Sequence, residues 1–110
     1  FAALLQAAIG YAGGRAEKVF VLSIPDYGVT PFAANRDPVR IGQEIDAFNA
    51  AHQAICEAEG VKWFNITGIS REAKDNPGLI APDALHPSGE MYRRWVALIL
   101  PSVRDLLRKP

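Results

Sequence analysis

The sequence predicts an α/β fold built on parallel strands, and two observations carry that expectation. Helical and strand-like segments alternate in the order helix, strand, helix, strand, long loop, helix. The first strand segment, Val19-Phe20-Val21-Leu22-Ser23-Ile24, is almost continuously apolar, as a strand covered on both faces would be. Parallel neighbours then require right-handed crossovers through the intervening helices. A length of 110 residues fits one small domain.

Each element has its own signal. Phe1, Leu4, Leu5, Ala8, Ile9 and Ala12 form a one-sided stripe at helical spacing, and Gly13-Gly14 supplies a left-handed stop. Phe1 opens directly inside that stripe and is not a methionine, so further polypeptide is expected upstream. The strand over 19–24 ends at Pro25, and Asp26-Tyr27-Gly28 reads as a turn. After a polar, proline-containing loop to about Arg40, Ile41, Ile45, Phe48 and Ile55 recur on one face of a helix over 41–59. Gly60 closes it, and Cys56 borders the stripe.

A second strand follows over 61–66, made less purely apolar by Lys62 and Asn65. Residues 67–87 have no clear period and contain Asn76-Pro77-Gly78, a loop signal. Ser88 is a good N-cap for a last helix through about Arg108, with Trp95, Leu98, Ile99, Val103 and Leu106 toward the core. Pro101 should kink that helix, because it removes the bond to the Ala97 carbonyl. Two strands are too few to cover three amphipathic helices, and a two-stranded parallel sheet leaves both edges open. The chain is therefore expected to be part of a larger sheet.

Composition narrows the function. Twelve Lys+Arg balance 12 Asp+Glu, so the long-range field of a nucleic-acid or anionic-membrane binder is not expected. No apolar run approaches the roughly 18 residues of a membrane span. A single cysteine excludes an intrachain disulfide and a cysteine-based zinc cluster. Gly13-Gly14 lacks the spacing of a nucleotide loop, and no cofactor is expected.

The chemistry concentrates at Asp83-Ala84-Leu85-His86-Pro87-Ser88, at the mouth of the last helix. Pro87 biases His86 toward an extended backbone, so the imidazole should stand off the helix end. An aspartate three residues before a histidine can accept from one ring nitrogen and leave the other as a base. On spacing alone two other readings stand beside this one. In one, Ser88 simply caps the helix while Asp83 is a solvated turn residue; in the other, Asp83 and His86 form half a metal site, for which His52 on a separate helix is a poor third ligand.

The same block, placed just before a C-terminal amphipathic helix, resembles the last signature block of the SGNH (GDSL-type) esterases and lipases. The likeness extends backwards: 19–25 resembles the strand before that fold's long loop, and Asn49 in an Ala-rich helix followed by 61–66 resembles the pair preceding the block. The resemblance implies the C-terminal portion of a flavodoxin-like α/β/α sandwich, with residues 1–110 forming part of one domain whose N-terminal half is missing. It also implies a serine-dependent carboxylic-ester hydrolase, with His86 as base and then acid and Asp83 orienting it. No Gly-Asp-Ser motif and no Gly-x-Asn-Asp block occurs in the sequence. The nucleophile and most of the oxyanion hole are therefore expected elsewhere, and the chain alone is expected to be inactive.

Two rival functions remain open. One is a non-catalytic interaction module that pairs, or self-associates, through an exposed sheet edge. The other is a different flavodoxin-like domain in which the Asp83/His86 loop is incidental. Ser23, mid-strand, and Ser88, at a cap, are poor nucleophiles. Asp26 and Tyr27 sit where α/β folds place ligand loops, but read first as a turn. His52 is expected to be packed with a hydrogen-bond partner, Cys56 to be a small buried hydrophobe, and Trp63 and Trp95 to fill the core. Lys18, Arg93, Arg94, Arg104, Arg108 and Lys109 should lie on solvated faces.

Overall fold

In the computed structural model, which describes residues 1–110, glycines and caps set most element boundaries. Helix α1 (Ala2–Tyr11) stops where Gly13 and Gly14 take φ of 69° and 80°, and the Gly14 amide donates to the Ile9 carbonyl at 2.9 Å. Strand β1 (Phe20–Leu22) follows, then two short 3-10 turns. Helix α2 (Pro38–Glu59) begins earlier than hydrophobic spacing predicted. Asp37 caps it, accepting from the Arg40 amide at 3.1 Å, and Pro38 fits its first turn. Gly60, at φ 73°, ends it before strand β2 (Lys62–Phe64). The 67–87 stretch, read as loop, contains the short helix α3 (Thr67–Arg71) and two 3-10 turns. Ser88 caps helix α4 (Gly89–Arg108), its Oγ accepting from the Met91 amide at 3.3 Å, and Pro101 sits inside that helix without ending it.

The two strands pair in parallel, Phe20 with Lys62, Val21 with Trp63 and Leu22 with Phe64, as the α2 crossover requires. Each is shorter than expected, and Ser23 explains why. Its Oγ accepts from the Ile66 amide at 2.7 Å and the Thr67 amide at 3.1 Å, turning the backbone of 65–67 out of the ladder.

Helices pack on both faces of this ribbon. Val21 and Trp63 meet Leu5, Ile55 and Cys56 of α1 and α2, whereas Leu22 meets Ile66, Leu79, Met91 and Trp95 on the α3–α4 side. Two expected core residues are not in the core: Phe48 is 59% exposed and Leu98 46% exposed. On α2 the buried row is Ile41, Ile45, Asn49 and Cys56, so polar Asn49 takes the inward place. On α4 only Met91 and Trp95 are fully buried, because two strands offer the rest of a 20-residue helix little to cover. Just 19 of 110 residues are buried, and the radius of gyration is 15.4 Å. A compact domain of this size would have roughly 13 Å. At the far end, Lys18 Nζ donates to the carbonyls of Leu106 and Lys109, both at 2.6 Å, so Lys18 caps α4 instead of standing in solvent.

Candidate active site

The loop before α4 is a narrow hairpin-like turn. Ile80 and Pro87 form an antiparallel bridge, the Ala81 amide donates to the His86 carbonyl at 2.8 Å, and the Ser88 amide to the Leu79 carbonyl at 2.9 Å. At its tip Ala84 has φ of 67°, a left-handed conformation that costs an alanine roughly 1 kcal/mol. Asp83 holds that tip from within. Its Oδ1 accepts from the amides of Leu85 (3.0 Å) and His86 (2.9 Å), while its Oδ2 contacts Nδ1 of the His86 ring. The two backbone amides, and then the ring, draw the Asp83 carboxyl down to about 2 from its ordinary 3.8.

The structure thus brings Asp83 and His86 together. With Nδ1 facing a carboxylate, the neutral ring carries its proton there, and Nε2 is left as an acceptor with no partner in the chain. The imidazole is 70% exposed, so Nε2 is open to solvent and to any approaching group. His52 does not join them. It sits on α2, stacked on Phe1 at 4.0 Å between ring centroids, and its contacts are aromatic where a hydrogen bond was expected. No cluster of three or more His, Cys, Asp or Glu side chains forms anywhere in the chain.

Beside His86 lies a cleft of about 450 Å³ at the carboxyl ends of both strands, the edge where α/β sheets present ligands. Its walls are largely apolar: Ile24, Phe32, Ile80, Leu85, Met91 and Trp95, with Tyr27 at the rim. Asp26 caps the expected turn at Tyr27–Val29 and is also buried, 5% exposed, at the cleft's inner wall. Oδ2 of Asp26 meets Arg71 Nε at 2.9 Å, and Oδ1 accepts from the Gly28 amide at 2.8 Å. A Cβ on Gly28 would fall 2.9 Å from Asp26 Oδ1 and 3.1 Å from the Pro38 carbonyl, so this turn needs glycine. Arg71 also reaches Asp46 at 2.9 Å, and both carboxylates raise its pKa further. Nothing in the sequence pointed to Arg71, which pairs with a residue 45 positions away.

Behind the cleft a polar knot fixes the strand ends. Asn49 Oδ1 accepts from the Ile24 amide at 2.9 Å, and its Nδ2 donates to Thr67 Oγ1 at 2.8 Å. Thr67 Oγ1 in turn donates to the Ile24 carbonyl at 2.7 Å and sits 2.8 Å from Ser23 Oγ. Ser23 is therefore a structural acceptor, and Ser88 is held at the cap with its hydroxyl on the Gly78 carbonyl at 2.8 Å. Cys56 is fully buried, and burial pushes its thiol up, as suits an inert core residue. Trp95 fills the core, while Trp63 is only partly buried against it.

Compared with known proteins, residues 1–94 match the model of the GDSL-like Lipase/Acylhydrolase family. No curated protein and no solved structure matches the chain. No helix is long and apolar enough to cross a membrane.

Proposed function

The chain belongs to the GDSL-like lipase/acylhydrolase family, which supports a hydrolase-type function, and from that premise we propose that Asp83 and His86 are two members of a Ser-His-Asp triad cleaving carboxylic esters. The observation that supports the roles is the paired loop geometry: Asp83 on Nδ1, a bare Nε2, and an apolar cleft alongside. His86 Nε2 takes the proton from the serine hydroxyl as it attacks the ester carbonyl, then returns it to the departing alkoxide. An acyl-enzyme remains, and water, activated by the same Nε2, hydrolyses it. Asp83 keeps the ring in the tautomer this requires and stabilises the imidazolium.

The nucleophile belongs, on this reading, to a segment outside these 110 residues, which together with this chain completes an α/β/α sandwich. The chain's own four serines support that. Ser23 and Ser70 are each 4% exposed with their hydroxyls engaged, and Ser88 is the α4 cap. Ser102 lies 14 residues further along α4, roughly 20 Å from the loop. The thin core and large radius of gyration favour the same conclusion. The test is p-nitrophenyl acetate hydrolysis. The 110-residue chain should be no faster than a surface imidazole, while the longer protein should turn over and lose several orders of magnitude on His86→Ala. Equal rates with and without His86, within about twofold, would sink the assignment. The two unpaired outer edges of the strand ribbon, with Phe20 39% exposed, favour a second reading in which the chain pairs with another through those edges.

A further inference from the structure

We infer that the cleft beside His86 takes an uncharged alkyl arm of the ester, and discriminates against sugar-bearing and anionic arms, because the inner polar side chains lining it are either engaged within the chain or closed off from the cleft surface. This rests on the proposed esterase reading of Asp83 and His86, and narrows its substrate.

The argument is an accounting of hydrogen bonds. The cleft wall contains few polar side-chain groups: those of Asp26, Tyr27, Thr30, Ser70 and His86, and the indole N–H of Trp95. Asp26 has one oxygen on the Gly28 amide and the other on Arg71. Thr30 Oγ1 donates to the Tyr27 carbonyl at 2.6 Å. Ser70 Oγ donates to the Thr67 carbonyl at 2.6 Å and accepts from the Asp26 amide at 2.9 Å. Trp95 Nε1 has no partner but is itself buried out of reach of solvent, so only the Tyr27 hydroxyl and His86 Nε2 remain free at the cleft surface, both on exposed side chains at the rim. A hydroxylated arm entering this space would surrender its water bonds with nothing inside to replace them, a cost of about 1–3 kcal/mol per group.

Charge points the same way. Asp26 is the one ionisable group on the inner wall, and the cation that balances it, Arg71, extends away toward Asp46 and the Gly42 carbonyl. An anionic arm would therefore meet the Asp26 carboxylate, while Arg71, paired to it at 2.9 Å, does not line the cleft. An alkyl arm meets Leu85, Ile80, Met91 and Trp95, and the volume of about 450 Å³ lies within the range of small-ligand sites. Arg71 is on this account a specificity-determining residue, because it neutralises Asp26 without offering the cleft a free donor.

The experiment uses the 110-residue chain and needs no turnover. Binding of two ester series, methyl alkanoates and alkyl acetates from four to eight chain carbons, is followed by NMR with the single methionine methyl labelled, Met91 being the only methionine. Affinity should rise about fourfold per added methylene, and the Met91 signal should move with saturation. The steeper series tells whether the cleft takes the acyl or the alkoxy side. A sugar acetate and a hemisuccinate methyl ester should bind at least tenfold more weakly than the matched alkyl ester. Leu85→Trp, which narrows the cleft, should flatten the chain-length slope, whereas Phe48→Ala on the exposed face of α2 should leave it unchanged. A flat slope, equal binding of the sugar or acid analogue, or saturation without movement of Met91 would each overturn the inference. Retained alkyl binding, alongside an activity in the longer protein indifferent to His86→Ala, would instead reject the triad and keep the cleft.

Discussion

Asp83→Asn separates two jobs that one carboxylate performs. In the native loop Oδ1 holds the amides of Leu85 and His86, and Oδ2 holds the imidazole. An asparagine keeps an acceptor for both amides, so the turn should survive. Its NH2 group, however, faces Nδ1, where two donors cannot meet. The ring must then adopt the other tautomer, bare at Nδ1 and protonated at Nε2, which removes the acceptor from Nε2, the atom that acts as base in the proposed triad. A wrong tautomer of this kind lowers kcat by about 10⁴-fold in triad enzymes. Ring ¹⁵N shifts read the tautomer in the 110-residue chain, and ester turnover in the longer protein reads the consequence. The Leu85 and His86 amide shifts should barely change. Asp83→Ala, which deletes all three interactions, should displace those amides as well and release Ala84 from its left-handed conformation. Should the asparagine variant keep an unprotonated Nε2, or lose less than about tenfold in kcat, the orienting role of Asp83 is wrong.

The pH response of the same loop follows from the lowered Asp83 carboxyl. Because its folded value of about 2 lies under the ordinary 3.8, it favours the folded loop above about pH 4, and that contribution disappears as pH falls through 2. A carboxyl ¹³C titration should give a midpoint near 2, and His86→Ala should raise it only part of the way, since the backbone amides are the larger cause. Arg71→Gln strands a buried carboxylate. The loss should be about 2 kcal/mol by urea denaturation, below the 3–5 of a fully buried pair because the guanidinium is 37% exposed. Adding Asp26→Asn to Arg71→Gln should restore most of it, and strict additivity of the two would refute the pairing. Asn49→Ala leaves the Ile24 amide without its acceptor and should cost about 2 kcal/mol, a fall in Tm of roughly 10 °C; a change under about 2 °C would mean that the polar knot does not hold the strand ends.

Much of this was legible in the sequence because the signals are local. Gly13-Gly14 and Gly60 end helices through left-handed backbone, and Ser88 caps α4, each decided within a few residues. Asp83 and His86 are three apart, so one turn brings them together whatever surrounds it. What pattern reading missed depends on distant partners. Arg71 and Asp26 are 45 positions apart, and only the crossover brings them into contact. Phe48 satisfies the helical period better than Asn49, yet Asn49 faces inward because Ile24 and Thr67 need its amide. Leu98 has the right spacing for burial, but spacing cannot say whether a surface exists for it to cover. The strands came out shorter than their apolar runs because Ser23 draws the backbone of 66 and 67 onto its hydroxyl.

The clasp between Lys18 and the end of α4 has a kinetic consequence. Its bonds to the carbonyls of Leu106 and Lys109 span 88 and 91 residues, and Arg15 adds a contact to the Pro110 carbonyl from the same link. Contacts of such separation carry the largest loop-closure entropy in the chain, so they form only after α1, the crossover and the body of α4 are in place. They should be absent from the folding transition state. Lys18→Met would then leave the refolding rate almost untouched and appear nearly whole in faster unfolding, which makes this pair of carbonyl contacts a control on how long the folded chain persists as well as on how stable it is.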